Sequence, residues 1–337
     1  MNSRERCLAA IGGRPVDRVP VFPLLMFLAA KHAGINYRTF ATDGSALADA
    51  QLNMRRKFGF DAITACSDAF RVPADLGGEM GYPEMSPPHL EKPLVRGLSD
   101  LKGLCRPDPL KKGSRMADRV GAVRRMAEAA GNECLVLGWV EMPFAEACSV
   151  CGMTDFMMMT MDDSPTAHAV LEFLTQIEID FALSQIEAGA HMIGAGDAAA
   201  SLISPEMYRE FALPYEKRVT DAIHRAGSLI KLHICGNTNA LLDDMVKSDC
   251  DLFNVDHMVD LNRAAEIYGK AGKCFKGNLN PVTDMLQATA GQCLERSKEC
   301  IRAAQGRRFM LSPGCEVPAG VTDEVFGAFC RASSEVA

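Results

Sequence analysis

Leu232-His233-Ile234-Cys235-Gly236-Asn237-Thr238 ends an apolar run (Leu229, Ile230, Leu232, Ile234) that turns abruptly to His, Cys and Gly. The run reads as a buried strand delivering two soft ligands to its C-terminal end. Side chains alternate along a strand, so His233 and Cys235 project from one face, and an imidazole nitrogen and a thiolate sulfur can converge on one ion. Two ligands do not hold zinc. Cys315 closes a second apolar run (Phe309, Met310, Leu311) and follows Pro313-Gly314, a tight turn that presents the thiol at a strand end. His233, Cys235 and Cys315 are thus three candidate metal ligands, and a catalytic zinc keeps its fourth position for substrate or water. Taken alone, the pattern also fits a core cysteine beside a strand-end histidine, and its context has to decide.

Outward from this strand, similar runs recur along the chain. Strands are expected at Val19–Met26, Asp61–Asp68, Cys134–Glu141, Met192–Asp197, in the run holding His233 and Cys235, and at Asp251–His257, Cys274–Asn280 and Arg308–Ser312. Helical sequence follows most of them, including a long helix opened by Ser164-Pro165 as N-cap and first-turn proline and another that Pro214 should kink or restart. The Pro- and Gly-rich stretch Val72–Pro109 lacks periodicity and reads as a long loop over one face. Eight strands alternating with helices predict a single-domain (β/α)₈ TIM barrel spanning residues 1–337. Asp68, Glu141, Asp197, Cys235, Asp256, Asn278 and Cys315 then fall at strand C-termini, the rim on which barrel active sites are built. Strands five and eight both reach over the barrel mouth, so the three ligands can meet. Glu141, Asp197 and Asp256 are the candidates to orient substrate or to complete the metal shell. The Met-rich run Phe156–Met161 and the pair Cys148-x-x-Cys151 read as packing, and His191 and His257 as hydrogen-bonded residues.

With 337 residues, 48% of them hydrophobic, the chain can bury a large core. A net charge of −7, without a basic stripe, argues against nucleic acid or an acidic membrane surface as partner. The N-terminus has no long apolar segment, and no run approaches the roughly 20 apolar residues of a membrane span. Thirteen cysteines without framework spacing suit free thiols in a reducing compartment, so the expected location is the cytoplasm.

The set His233-x-Cys235-Gly236-Asn237, Gly277-Asn278-Leu279-Asn280-Pro281 and Ser312-Pro313-Gly314-Cys315-Glu316-Val317-Pro318 resembles the uroporphyrinogen decarboxylase superfamily, specifically its zinc-dependent corrinoid methyltransferase branch, the cobalamin:coenzyme M methyltransferases and their relatives. Gly138-Trp139-Val140-Glu141-x-Pro143-Phe144 and Asp197-x-x-x-Ser201-Leu202-Ile203-Ser204-Pro205-x-x-Tyr208 extend the likeness over nearly the whole chain. The resemblance implies zinc at His233, Cys235 and Cys315, Asn278 as a cofactor-contacting residue, and methyl transfer between a corrinoid and a small thiol, ether, amine or folate. No Asp-x-His-x-x-Gly motif is present, so the corrinoid is expected on a partner protein. The decarboxylase's early basic motif is replaced by Val21-Phe22-Pro23-Leu24-Leu25-Met26-Phe27-Leu28, which has no arginine to pair with substrate carboxylates. The competing readings are a decarboxylase-type lyase and a non-catalytic zinc- or corrinoid-binding scaffold. A homodimer is left open.

Overall fold

The computed structural model describes residues 1–304 and 306–336. Its strands are β1 (Ala62–Thr64), β2 (Met80–Gly81), β3 (His89–Leu90), β4 (Leu135–Glu141), β5 (Met192–Gly196), β6 (Leu229–Ile234), β7 (Leu252–Val255), β8 (Cys274–Leu279) and β9 (Phe309–Pro313). All but β2 and β3 join one parallel sheet in the order β1-β4-β5-β6-β7-β8-β9. Helices including Ser164–Glu187, Leu213–Arg225, Leu261–Lys270 and Ala290–Ala303 connect and cover these strands. This is the expected α/β barrel, with one stave built differently.

That stave is the first. Residues 19–26, expected as a full strand, make only two isolated bridges to the β9 side, Val21 with Leu311 and Leu24 with Glu316. Pro20 and Pro23 explain this, since each lacks the N–H that a continuous ladder needs. Side chains do part of the closure instead. Asp61, fully buried just before β1, accepts from Arg6 Nη1 at 2.7 Å, from Arg18 Nη1 at 2.8 Å and from the Val21 backbone N–H at 2.8 Å. One carboxylate therefore ties the N-terminal helix, the proline-interrupted stave and the sheet edge together.

Alternation along the strands puts Leu135, Leu137, Met192, Leu252, Cys274 and Met310 inside the barrel. There they form a buried cluster closed at the N-terminal end by Cys7 and Ile11 of helix Ser3–Ile11. The barrel floor is thus apolar, and its polar interior begins one pleat higher, with Lys231 and Lys276.

Two expectations for the connections need correction. The stretch 72–109 is not a featureless loop: it carries most of helix Arg71–Asp75, the antiparallel hairpin β2–β3 and helix Leu98–Gly103. Two-residue strands are too short to leave a period-2 signal. The long helix is capped by Asp163, whose side chain accepts from Thr166 N, rather than by Ser164, which is its first residue. Before Pro214 the chain widens into a π segment, Tyr208–Ala212, and the α-helix restarts at Leu213. Cys148 and Cys151 are buried packing residues, as expected.

Candidate metal centre

His233 and Cys235 stand at the end of β6, and Cys315 follows β9. Cys235 Sγ lies 3.0 Å from His233 Nε2 and 3.5 Å from Cys315 Sγ. Among the described residues this is the one group of three or more His, Cys, Asp or Glu side chains placed to share a metal ion, with all ligand atoms within 4.8 Å of one another. A tetrahedral zinc with bonds of about 2.3 Å to sulfur and about 2.0 Å to nitrogen would set the sulfurs about 3.8 Å apart and nitrogen about 3.5 Å from sulfur. The separations of Cys235 Sγ from His233 Nε2 and from Cys315 Sγ lie within about half an ångström of these values. His233 is 4% exposed, whereas both thiols are only half-buried, so the sulfur side of the triad faces the barrel mouth.

The ligands are held by their neighbours. His233 Nδ1 lies 3.2 Å from the Asn254 carbonyl, which fixes Nδ1 as the protonated nitrogen and leaves Nε2 free to ligate. The Asn254 side chain donates to the Gly314 carbonyl at 3.3 Å, so one β7 residue braces both ligand-bearing strand ends. The two thiols share charge unequally. The Cys315 contact and burial push Cys235 up, whereas hydrogen bonds from Cys235 and His233, acting against burial, hold Cys315 down at about 3.

The carboxylates predicted around the triad are placed differently from one another. Glu141, Gly196 and His233 are consecutive partners in register across β4, β5 and β6, so Glu141 and His233 face the same interior with roughly 10 Å, two strand spacings, between their backbones. Glu141 Oε1 accepts from Arg71 Nη2 at 2.7 Å and from Trp139 Nε1 at 3.0 Å. Its Oε2 lies over Gly196, where a Cβ would sit only 2.5 Å away. One pleat below, the Trp139 ring crosses Gly194 in the same way, and Lys231 Nζ lies 4.4 Å from the centre of that ring. The two glycines of β5 therefore let a carboxylate and an indole lean towards the ligand strand. Burial raises Glu141 above the usual carboxylate range, with Arg71 opposing it, and burial lowers Lys231 to about 8.

Asp256 is 4% exposed, accepts from Met258 N at 3.0 Å and pairs with His257 Nδ1 at 2.8 Å. A Cβ at Gly314, the residue before Cys315, would fall 2.9 Å from the Asp256 carbonyl carbon, so the Asp256 backbone abuts the Cys315 turn. Asp197 is not brought to the triad. It follows the inward-facing Gly196, so it points out of the barrel, where its fully buried carboxylate meets Glu216 of helix Leu213–Arg225. Asn278 spends its amide on the backbone, donating to the Asp256 and Val259 carbonyls at 3.2 and 2.8 Å, and so anchors the loop after β7. His191 accepts from Val136 N at 3.1 Å, the hydrogen-bonded role expected of it.

Sequence reasoning missed Arg71, Asn254 and Lys231. Lys231 carried a legible signal: a lysine two residues before His233 in an apolar strand must share its face. Arg71 carried none, because its partner Glu141 is distant in sequence.

Residues 2–336 match the family model for uroporphyrinogen decarboxylase (URO-D). The chain belongs to this family. Within the URO-D family it is 28% identical to the methylcobamide:CoM methyltransferase MtbA of Methanosarcina acetivorans, covering 93% of this chain and 92% of that one. It is 23% identical to the uroporphyrinogen decarboxylase of Hydrogenovibrio crunogenus, covering 98% and 97%. In structure it superposes on a methyltransferase from Methanosarcina mazei with a TM-score of 0.89 at 23% identity over 99% of both chains, which establishes the shared barrel fold. Methyl-transfer relatives match it over at least 90% of their length, and this URO-D family member is a methyltransferase. No helix among the described residues is long and apolar enough to cross a membrane.

Proposed function

We propose that His233, Cys235 and Cys315 hold one zinc ion, and that the enzyme moves a methyl group between a corrinoid carried by a partner protein and a small thiol, ether, amine or folate bound at that ion. The observation that supports this reading is the compact His-Cys-Cys triad at the mouth of a barrel whose relatives include methylcobamide:CoM methyltransferases. When bound, zinc supplies a Lewis acid that lowers the basicity of a substrate heteroatom. The Asn254 carbonyl keeps His233 in the ligating tautomer, and Cys235 and Cys315 serve as thiolates. Arg71 and Trp139 fix Glu141 so that Oε2 reaches over Gly196 to orient substrate, and Asp256 offers a second carboxylate just past the end of β7, the strand paired with β6. The half-buried thiols leave the centre open on the side from which a corrinoid protein would approach.

Metal analysis tests the assignment. The purified protein should hold one zinc per chain, and Cys235→Ser and Cys315→Ser should each weaken retention against a chelator by orders of magnitude. Full zinc occupancy in both variants would sink the proposal. Transfer itself is read from the corrinoid spectrum, since methyl-Co(III) and Co(I) should interconvert with the matching corrinoid protein and His233→Ala should stop it.

A further inference from the structure

A cavity of about 420 Å³ opens between the strand ends of β1, β4 and β5 and beneath the β2–β3 hairpin, with Glu141 in its wall. Phe70, Leu90, Pro93, Ala145, Met153 and Ala199 give it largely apolar walls drawn from separate loops and helices. Its polar groups are few: Glu141, His89 and Ser149. No lysine or arginine lines it. Arg71, the cation behind Glu141, is fully buried and already bonded to Oε1. Glu141 Oε2, by contrast, takes no hydrogen bond from the described residues. An acceptor held rigidly on one oxygen and left open on the other, at the end of an apolar cavity, recognises a donor.

We infer that this cavity holds the non-reacting body of the methyl-bearing substrate, and that it selects a neutral or cationic molecule, apolar and of one or two rings' bulk, with a hydroxyl or ammonium hydrogen aimed at Glu141 Oε2. The inference rests on the reading that methyl transfer occurs at the triad. Glu141 belongs to both places: it lines the cavity and stands in register with His233 across Gly196, so a molecule anchored on it can extend towards the metal centre. An anionic substrate would bring an acceptor instead of a donor to Glu141 Oε2, with no lysine or arginine lining the cavity to receive its charge, which discriminates against it. A ring-sized apolar body, in turn, fills the space between Phe70, Leu90 and Met153.

Three probes of similar size test the charge rule: benzylamine, benzyl alcohol and benzoate, titrated calorimetrically into the zinc-loaded protein without any corrinoid. Benzylamine and benzyl alcohol should bind, and benzoate on the order of 100-fold more weakly or not at all. Ala198→Trp, at an exposed position on the cavity edge, and Ser149→Trp, at a half-buried one, should each abolish binding with circular dichroism and zinc content unchanged. Glu141→Gln should narrow the gap between benzylamine and benzoate. Equal binding of benzoate, no binding of any probe, or undiminished binding in a folded tryptophan variant overturns the inference. Because no corrinoid is present, this outcome is separable from that of the transfer assay: absent methyl transfer would sink the function reading while the ligand preference stood.

Discussion

Gly196→Ala is the substitution that asks most directly whether the β5 glycines exist to let side chains cross towards the ligand strand. The added Cβ would lie 2.5 Å from Glu141 Oε2, about 0.9 Å inside the 3.4 Å at which ordinary contact begins. Glu141 cannot give way freely, because Oε1 is held by Arg71 at 2.7 Å and Trp139 at 3.0 Å. Overpacking costs about 1–3 kcal/mol, and weakening a buried charged hydrogen bond a further ~1.5–3 kcal/mol. Losing a glycine restricts the unfolded chain and returns about 0.4–1 kcal/mol. The net expectation is a loss of roughly 1.5–5.5 kcal/mol, read from urea unfolding of the wild type, Gly196→Ala, Glu141→Ala and the double variant. In the Glu141→Ala background the clash has no partner, so the same alanine should cost close to nothing, a coupling of about 2 kcal/mol or more. An equal cost in both backgrounds would refute the reasoning, and so would a Gly196→Ala protein as stable and active as the wild type.

Asp61→Ala should cost about 3–5 kcal/mol in the same assay, because it leaves Arg6 and Arg18 without their shared buried partner; a loss below about 1 kcal/mol would show that the clasp is dispensable. Burial raises Glu216 from 4.5 to about 7, so between those pH values the folded protein keeps a proton that the unfolded chain releases. Its contribution is complete below pH 4.5 and is lost as pH rises towards 7. Relative to Glu216→Gln, the wild type should therefore lose up to about 3 kcal/mol across that window, and a flat difference would contradict the burial argument. The enzyme should form no coproporphyrinogen from uroporphyrinogen, since Val21–Leu28 offers no arginine to the substrate carboxylates; a direct assay decides.

The strands from β4 to β9 were legible because each is an apolar run ended by a ligand-capable or turn residue, and the triad because His233 and Cys235 share a face by parity. The same parity separates Glu141 from Asp197. Both end strands, but Asp197 follows an inward glycine and so turns outward, which its terminal position alone does not reveal. The first stave misled because Val19–Met26 is apolar enough for a strand, while Pro20 and Pro23 deny it the hydrogen bonds of one. Arg71 and Asn254 lay beyond reach because their roles depend on neighbours set by the fold, a carboxylate 70 residues away for the first and a glycine carbonyl 60 residues away for the second.

A cylinder fastened by a clasp has a preferred place to part. Elsewhere around the wall, opening a neighbouring pair breaks a continuous backbone ladder, but the first stave is held to β9 only through isolated bridges and, on its other side, to β1 through the contacts of Asp61. Local opening should start at this seam, with the amides of Phe22 and Val317, which pair across it with Leu311 and Leu24, exchanging with solvent before those of β5 and β6. Cys315 lies on the seam, whereas His233 and Cys235 lie on the far, fully laddered wall. If the triad holds zinc as proposed, it joins one yielding ligand to two rigid ones, and metal exchange should proceed by release at Cys315 first.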